Sequence, residues 1–152
     1  MREGGGRNEG RRVPLDRPAF PPSLRRFVEL FNRGLYWESH EALEDDWRRL
    51  GSDFYQGLIL YASAFVHAQR GNRHGILAQL DKAEERLHPY LPSYMGIDVA
   101  GIFTHAHVCR EVMRANPGVD RHAWGRLIPS PRLALAVERV RGDEPELAAS
   151  AG

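Results

Sequence analysis

Residues 31–47 read Phe31-Asn32-Arg33-Gly34-Leu35-Tyr36-Trp37-Glu38-Ser39-His40-Glu41-Ala42-Leu43-Glu44-Asp45-Asp46-Trp47. At about 100° per residue, Tyr36, His40, Leu43, Trp47 and Leu50 fall in one narrow stripe. Glu38, Asp45 and Arg49 face the other way. The spacing predicts an amphipathic helix from Tyr36 to Leu50 with a histidine in the middle of its apolar face. Gly34 and Gly51 bracket it, as residues that enter the left-handed region at a helix end without a Cβ clash.

Upstream, Leu24, Phe27, Leu30 and Phe31 recur at helical spacing, and Ser23 is the expected N-cap of that first helix. Downstream, Ser52 or Asp53 is placed to cap a third helix from Phe54 to Arg70. Its apolar residues cover nearly every azimuth, the pattern of a central helix covered by several neighbours. One polar line survives on it, Gln56, Ser63 and His67 at i, i+7 and i+11. Gly71-Asn72 turns the chain into a fourth helix, Arg73 to His88, which Pro89 ends. Asp98 caps a fifth, from Val99 to about Ala115, broken by Asn116-Pro117-Gly118.

The chain after Gly118 is harder to read. A short helical turn between Asp120 and Leu127 is anchored by Trp124, and Leu133 to Val137 forms either a latch on the core or another helix. The tail after Arg141 is expected to be loose. Residues 1–22 hold four glycines before Arg11 and then Pro14, Pro18, Pro21 and Pro22. That composition buries too little apolar surface to offset ordering entropy, so a mobile tail is expected. The resulting expectation is an all-α, single-domain bundle of about five helices over 23–128, with a buried central helix. A C-terminal extension, 129–152, is partly packed and then loose.

The totals bound the partners. Lys plus Arg number 21 against 20 acids, a formal net charge of +1, which argues against a broad basic face for nucleic acid. A lone cysteine, Cys109, forms no intramolecular disulfide and suits a reducing compartment. No apolar run approaches the roughly 20 residues that span a bilayer, and no apolar segment of a secretory signal follows the N-terminus. A cytoplasmic protein that meets no membrane is expected.

His40-Glu41-x-x-Glu44 looks like half of a zinc-protease motif. Such a motif needs a second histidine one turn on, with the intervening glutamate as base; here that position is Glu44. His40, Glu44 and His67 remain candidate metal ligands, and His40, Glu41, Glu44 and His67 candidate catalytic residues. Glu85-x-x-His88 matches a carboxylate-bridged metal motif once, without a second copy. Alternatively, Tyr36, His40, Glu44, Gln56, Ser63 and His67 form either a buried polar network or a small ligand pocket. A neutral buried histidine costs little when its ring nitrogens find partners. His105 and His107, two apart on a helix, point away from each other and do not chelate.

The order of motifs is similar to that of the DUF309 family, small all-helical proteins of unknown function. The residues that carry the resemblance are Phe31-Asn-x-Gly34-x-Tyr36-x-Glu38-x-His40-Glu41-x-Leu43-Glu44-x-x-Trp47, then Phe54-Tyr55-Gln56-Gly57-Leu58. Arg70-Gly71-Asn72-x-x-Gly75 and Gly96-Ile97-Asp98 follow, so it covers roughly residues 24–98. It implies a compact helical bundle and brings no catalytic residues. The expected function is therefore a non-enzymatic binding or protein-interaction module, a candidate homodimer, with no cofactor. The alternative is a small metal-binding protein or hydrolase-like enzyme using the His/Glu cluster between the second and third helices.

Overall fold

The computed structural model describes residues 20–151. Five main helices occupy the expected places: α1 (Pro22–Asn32), α2 (Tyr36–Leu50), α3 (Asp53–Gln69), α4 (Arg73–Leu87) and α5 (Val99–Ala115). Two short ones, α6 (Trp124–Leu127) and α7 (Pro145–Ala151), raise the number to seven among the described residues. Two-residue strands β1 (Ser93–Tyr94) and β2 (Ile97–Asp98) pair antiparallel ahead of α5. The fold is all-α.

Proline sets the start of α1. Pro22 is its first residue, and the preset proline φ begins the helix one residue earlier than a serine cap would. Ser23 is therefore not the N-cap. Its hydroxyl donates instead to Asp46 Oδ2 on α2. Ser52 caps α3 as expected, its Oγ accepting from the Tyr55 N–H. At the other end of α2, Gly51 takes φ 62° and returns its N–H to the Trp47 carbonyl.

α3 lies in the middle, packed between α2 and α4. Between Phe54 and Ala68 every residue is buried except Gln56, Leu60, Ser63 and His67, which keep partial exposure on one strip. The predicted polar line is thus the one side of the central helix that its neighbours leave partly open. α3 and α4 approach closely where Gly57 meets Leu87; a Cβ on Gly57 would stand 2.6 Å from the leucine side chain. The core centres on Phe31, which touches rings from α1, α2 and α3 at once: Phe27, Tyr36, Tyr61 and Phe65.

Of the two readings of Leu133 to Val137, the latch is the structure. Asn32 holds it with both ends of its amide, donating to the Leu133 carbonyl and accepting the Leu133 N–H, each at 2.8 Å. The Ala136 N–H donates to the Gly96 carbonyl. The tail after Arg141 is not loose. Glu144 and Glu146 are only 1% and 5% exposed, and both oxygens of each carboxylate accept hydrogen bonds. Glu144 accepts the N–H groups of Met95, Arg141 and Gly142, while Glu146 accepts the hydroxyls of Ser52 and Tyr94. Charged residues in a terminal segment read as solvent-seeking; here they are the anchors. At the N-terminal side, Phe20 is buried with its ring against Gly96, so the last part of the expected tail packs. The mobility expected of residues 1–19 lies outside the described residues.

Candidate functional site

The hairpin of α2 and α3 turns at Gly51-Ser52 and brings the Tyr36 ring within 5.5 Å of that of Phe65. His40 sits at the partly exposed edge of α2, its ring 5.1 Å from that of Trp37 in an edge-on contact. Trp37 itself is 49% exposed. The His40 Nδ1 is buried and has no hydrogen-bond partner among the described residues. Glu44, one turn on, is engaged elsewhere: Arg48 Nη2 donates to its Oε2 at 2.6 Å. That bond holds the Glu44 carboxyl below the usual carboxylate range, with burial opposing and the charges of Arg48 and His40 adding to it. Glu41 is exposed on the outer side.

His67 belongs to a different neighbourhood. Its Nδ1 lies 3.1 Å from Asn72 Nδ2, and its ring rests on Gly75, where a Cβ would come within 2.4 Å. The amide nitrogen can only donate, so Nδ1 accepts and the neutral ring carries its proton on Nε2. Burial holds the His67 imidazole below its ordinary value, and the neighbouring Arg70 adds to this. Tyr36 is buried, its hydroxyl pushed upward by desolvation. Tyr36, His40, Glu44, Gln56, Ser63 and His67 are therefore not joined in one hydrogen-bonded network among the described residues. Gln56, Ser63 and His67 do share one partly exposed strip of α3, but that strip runs along the open side and His67 bonds into the α3–α4 turn. Among the described residues no group of three or more His, Cys, Asp or Glu side chains is placed to hold a metal ion.

A second histidine cluster went unread in the sequence. His105 Nε2 lies 2.7 Å from the Pro129 carbonyl, and Tyr61 Oη lies 2.8 Å from Nδ1. Since a carbonyl only accepts, the Nε2–H donates to Pro129 and the Tyr61 hydroxyl donates to Nδ1. Burial holds the His105 imidazole below its ordinary value, against the opposing effect of the bond to Pro129. Cys109 Sγ lies 3.7 Å from Nδ1, and burial pushes its thiol up to about 12, so it stays protonated and inert. Above this floor is a cavity of about 330 Å³ whose lining includes Asp98, Arg132 and Arg139. The signal that identifies His105 is its place on the Ile102, Ala106, Cys109 stripe of α5, not its spacing from His107.

These two histidines set a pH response. With folded values below the unfolded imidazole value of about 6.5, the unfolded chain binds more protons as pH falls. Stability is then fully present above that value and declines as pH drops towards the folded values. Protonating His105 also removes the acceptor of the Tyr61 hydroxyl. The expected result is a melting temperature flat from about pH 8 to 7 and falling towards pH 5. His105→Gln should be less stable at neutral pH and show a shallower decline; an unchanged slope would exclude His105 as a source.

Residues 24–78 match the model of the family described as Domain of unknown function (DUF309). The match runs from within α1 through α2 and α3 to the first six residues of α4, and ends short of the Gly96-Ile97-Asp98 stretch. No curated protein and no solved structure gives a significant match. Among the described residues no helix is long and apolar enough to cross a membrane.

Proposed function

Taking residues 24–78 as a DUF309 segment, we propose that this chain is a non-enzymatic protein-interaction module whose contact surface is the outer edge of α2. The observation that carries this reading is Trp37, 49% exposed on a rigid fifteen-residue helix and braced edge-on by His40. Exposed tryptophans on rigid elements are the typical anchors of protein interfaces, because a large apolar surface is desolvated at little cost in side-chain entropy. Exposed Glu38 and Glu41 supply a polar rim around the indole. A second copy of the chain is the first partner to test. The buried lone thiol of Cys109 supports a reducing compartment as the place of action.

The competing reading, a metal-binding or hydrolase-like protein using His40, Glu41, Glu44 and His67, has weaker support. Arg48 occupies the Glu44 carboxylate, and Asn72 occupies the His67 Nδ1.

Light scattering over a concentration series tests the interaction reading. Trp37→Ala should weaken self-association by at least about tenfold, the scale of losing an interface anchor, while leaving the helical circular dichroism unchanged. A wild-type chain that stays monomeric up to about 1 mM would sink the second-copy form of the proposal.

A further inference from the structure

The turn between α3 and α4 forms an open bowl of about 430 Å³, lined by His67, Arg70, Gly71, Asn72, Arg73 and Arg121. No carboxylate lines it. Elsewhere in the chain Arg48, Arg49, Arg110 and Arg114 pair with acids, yet among the described residues Arg70, Arg73 and Arg121 carry no ion pair. Three arginines thus line one concavity, with no carboxylate among the residues that line it.

Backbone geometry builds the bowl. Arg70 closes α3 and Arg73 opens α4, so the tight turn holds both on one rim. Arg121 comes from the far side, and Gly71 is what lets it dock. At φ 71° a Cβ on Gly71 would stand 2.7 Å from the Arg121 carbonyl oxygen. Arg121 Nη2 in turn lies 3.4 Å from the Arg70 carbonyl, closing the rim. The first turn of α4 faces the same turn: Asn72 Oδ1 takes the Gly75 N–H, while the N–H groups of Arg73 and His74 have no intrahelical acceptor.

We propose that this bowl binds a phosphomonoester carried on a small molecule. A terminal phosphate is a near-dianion at neutral pH with three strong acceptor oxygens, which matches several forked guanidinium donors together with a helix start. The bowl's volume is that of a small-ligand pocket. The near-zero net charge of the chain argues for a small anion over a polyanion. The site shares no residue with the α2 contact edge, so either can fail without the other.

Calorimetric titration of the full chain tests it, with glycerol 3-phosphate as probe and inorganic phosphate in parallel, at constant ionic strength in phosphate-free buffer. One saturable site is expected. Arg73→Gln and Arg121→Gln, at exposed positions, should each weaken it by about tenfold or more, the scale of losing a hydrogen bond between charged groups. Gly71→Ala should weaken it similarly by displacing the Arg121 wall. Arg26→Gln, on α1 and paired with Glu29, should leave it unchanged. No saturable binding of either probe, equal loss in Arg26→Gln, or binding of a DNA duplex without the monoester would each overturn the proposal.

Discussion

Phe31→Ala should lower the unfolding free energy by about 3–5 kcal/mol, as expected for removing a fully buried aromatic ring. Phe31 has no exposed surface and sits where α1, α2 and α3 converge. Its ring centroid lies 5.7 Å from Phe27, 5.3 Å from Tyr36, 5.4 Å from Tyr61 and 6.1 Å from Phe65. Deleting it forfeits the transfer energy of the ring and leaves a cavity walled by four rigid aromatics, which cannot collapse inwards without leaving their rotamers. Against a typical domain stability of about 5–15 kcal/mol, that is a fifth of the total or more. Urea denaturation is the measurement, with Phe31→Leu as a partial rescue. A loss below about 1 kcal/mol would show that the four-ring cluster is peripheral to the cooperative core.

Glu146→Ala is expected to cost about 2–4 kcal/mol, since it strands two hydroxyls that donate to a charged acceptor. Ser52 Oγ lies 2.6 Å from one carboxylate oxygen and Tyr94 Oη 2.8 Å from the other. The Ser52 hydroxyl also accepts the Tyr55 N–H, so the bond to Glu146 extends the N-cap of α3 to the C-terminal helix. The companion anchor, Glu144, feels two opposed effects. Burial pushes its carboxyl upward, but the N–H groups of Arg141, Gly142, Met95 and Glu144 itself together hold it below the usual range. A lowered folded value contributes stability above the unfolded carboxyl value of about 4.3, and that contribution is lost as pH falls through the folded value. Release of α7 should therefore accompany acid unfolding. Limited trypsin digestion monitored at Arg141, alongside denaturation, reads both effects. Glu146→Ala should be cut faster there, and Tyr94→Phe should couple to it in a double-mutant cycle. A variant with wild-type stability and protease resistance would remove the C-terminal segment from the fold's energetics.

Local pattern carried the helices. The apolar stripe from Tyr36 to Leu50, the all-round apolar surface of α3, and the stops at Gly34, Gly51 and Pro89 are short-range features, and α2 begins and ends where they put it. The polar line Gln56, Ser63 and His67 was also legible, because a helix imposes its azimuths on residues whatever surrounds them. Which partners those residues meet was not. His40 and His67 share a hairpin, yet His67 bonds to Asn72 across the next turn and His40 keeps a buried nitrogen without a partner among the described residues.

The same limit explains the C-terminal segment and the site at His105. Glu144 and Glu146 meet donors roughly 50 and 94 residues away in sequence, and His105 is fixed by Tyr61 and Pro129 from two other parts of the chain. No local periodicity encodes such pairings. By itself the sequence determined an all-α bundle and the ends of its five main helices to within a residue or two, since these follow from backbone sterics and hydrophobic spacing within a few residues. Tertiary structure alone decided which polar groups pair, which stay open and where three arginines converge, because those depend on distances between segments that become neighbours only after the helices pack.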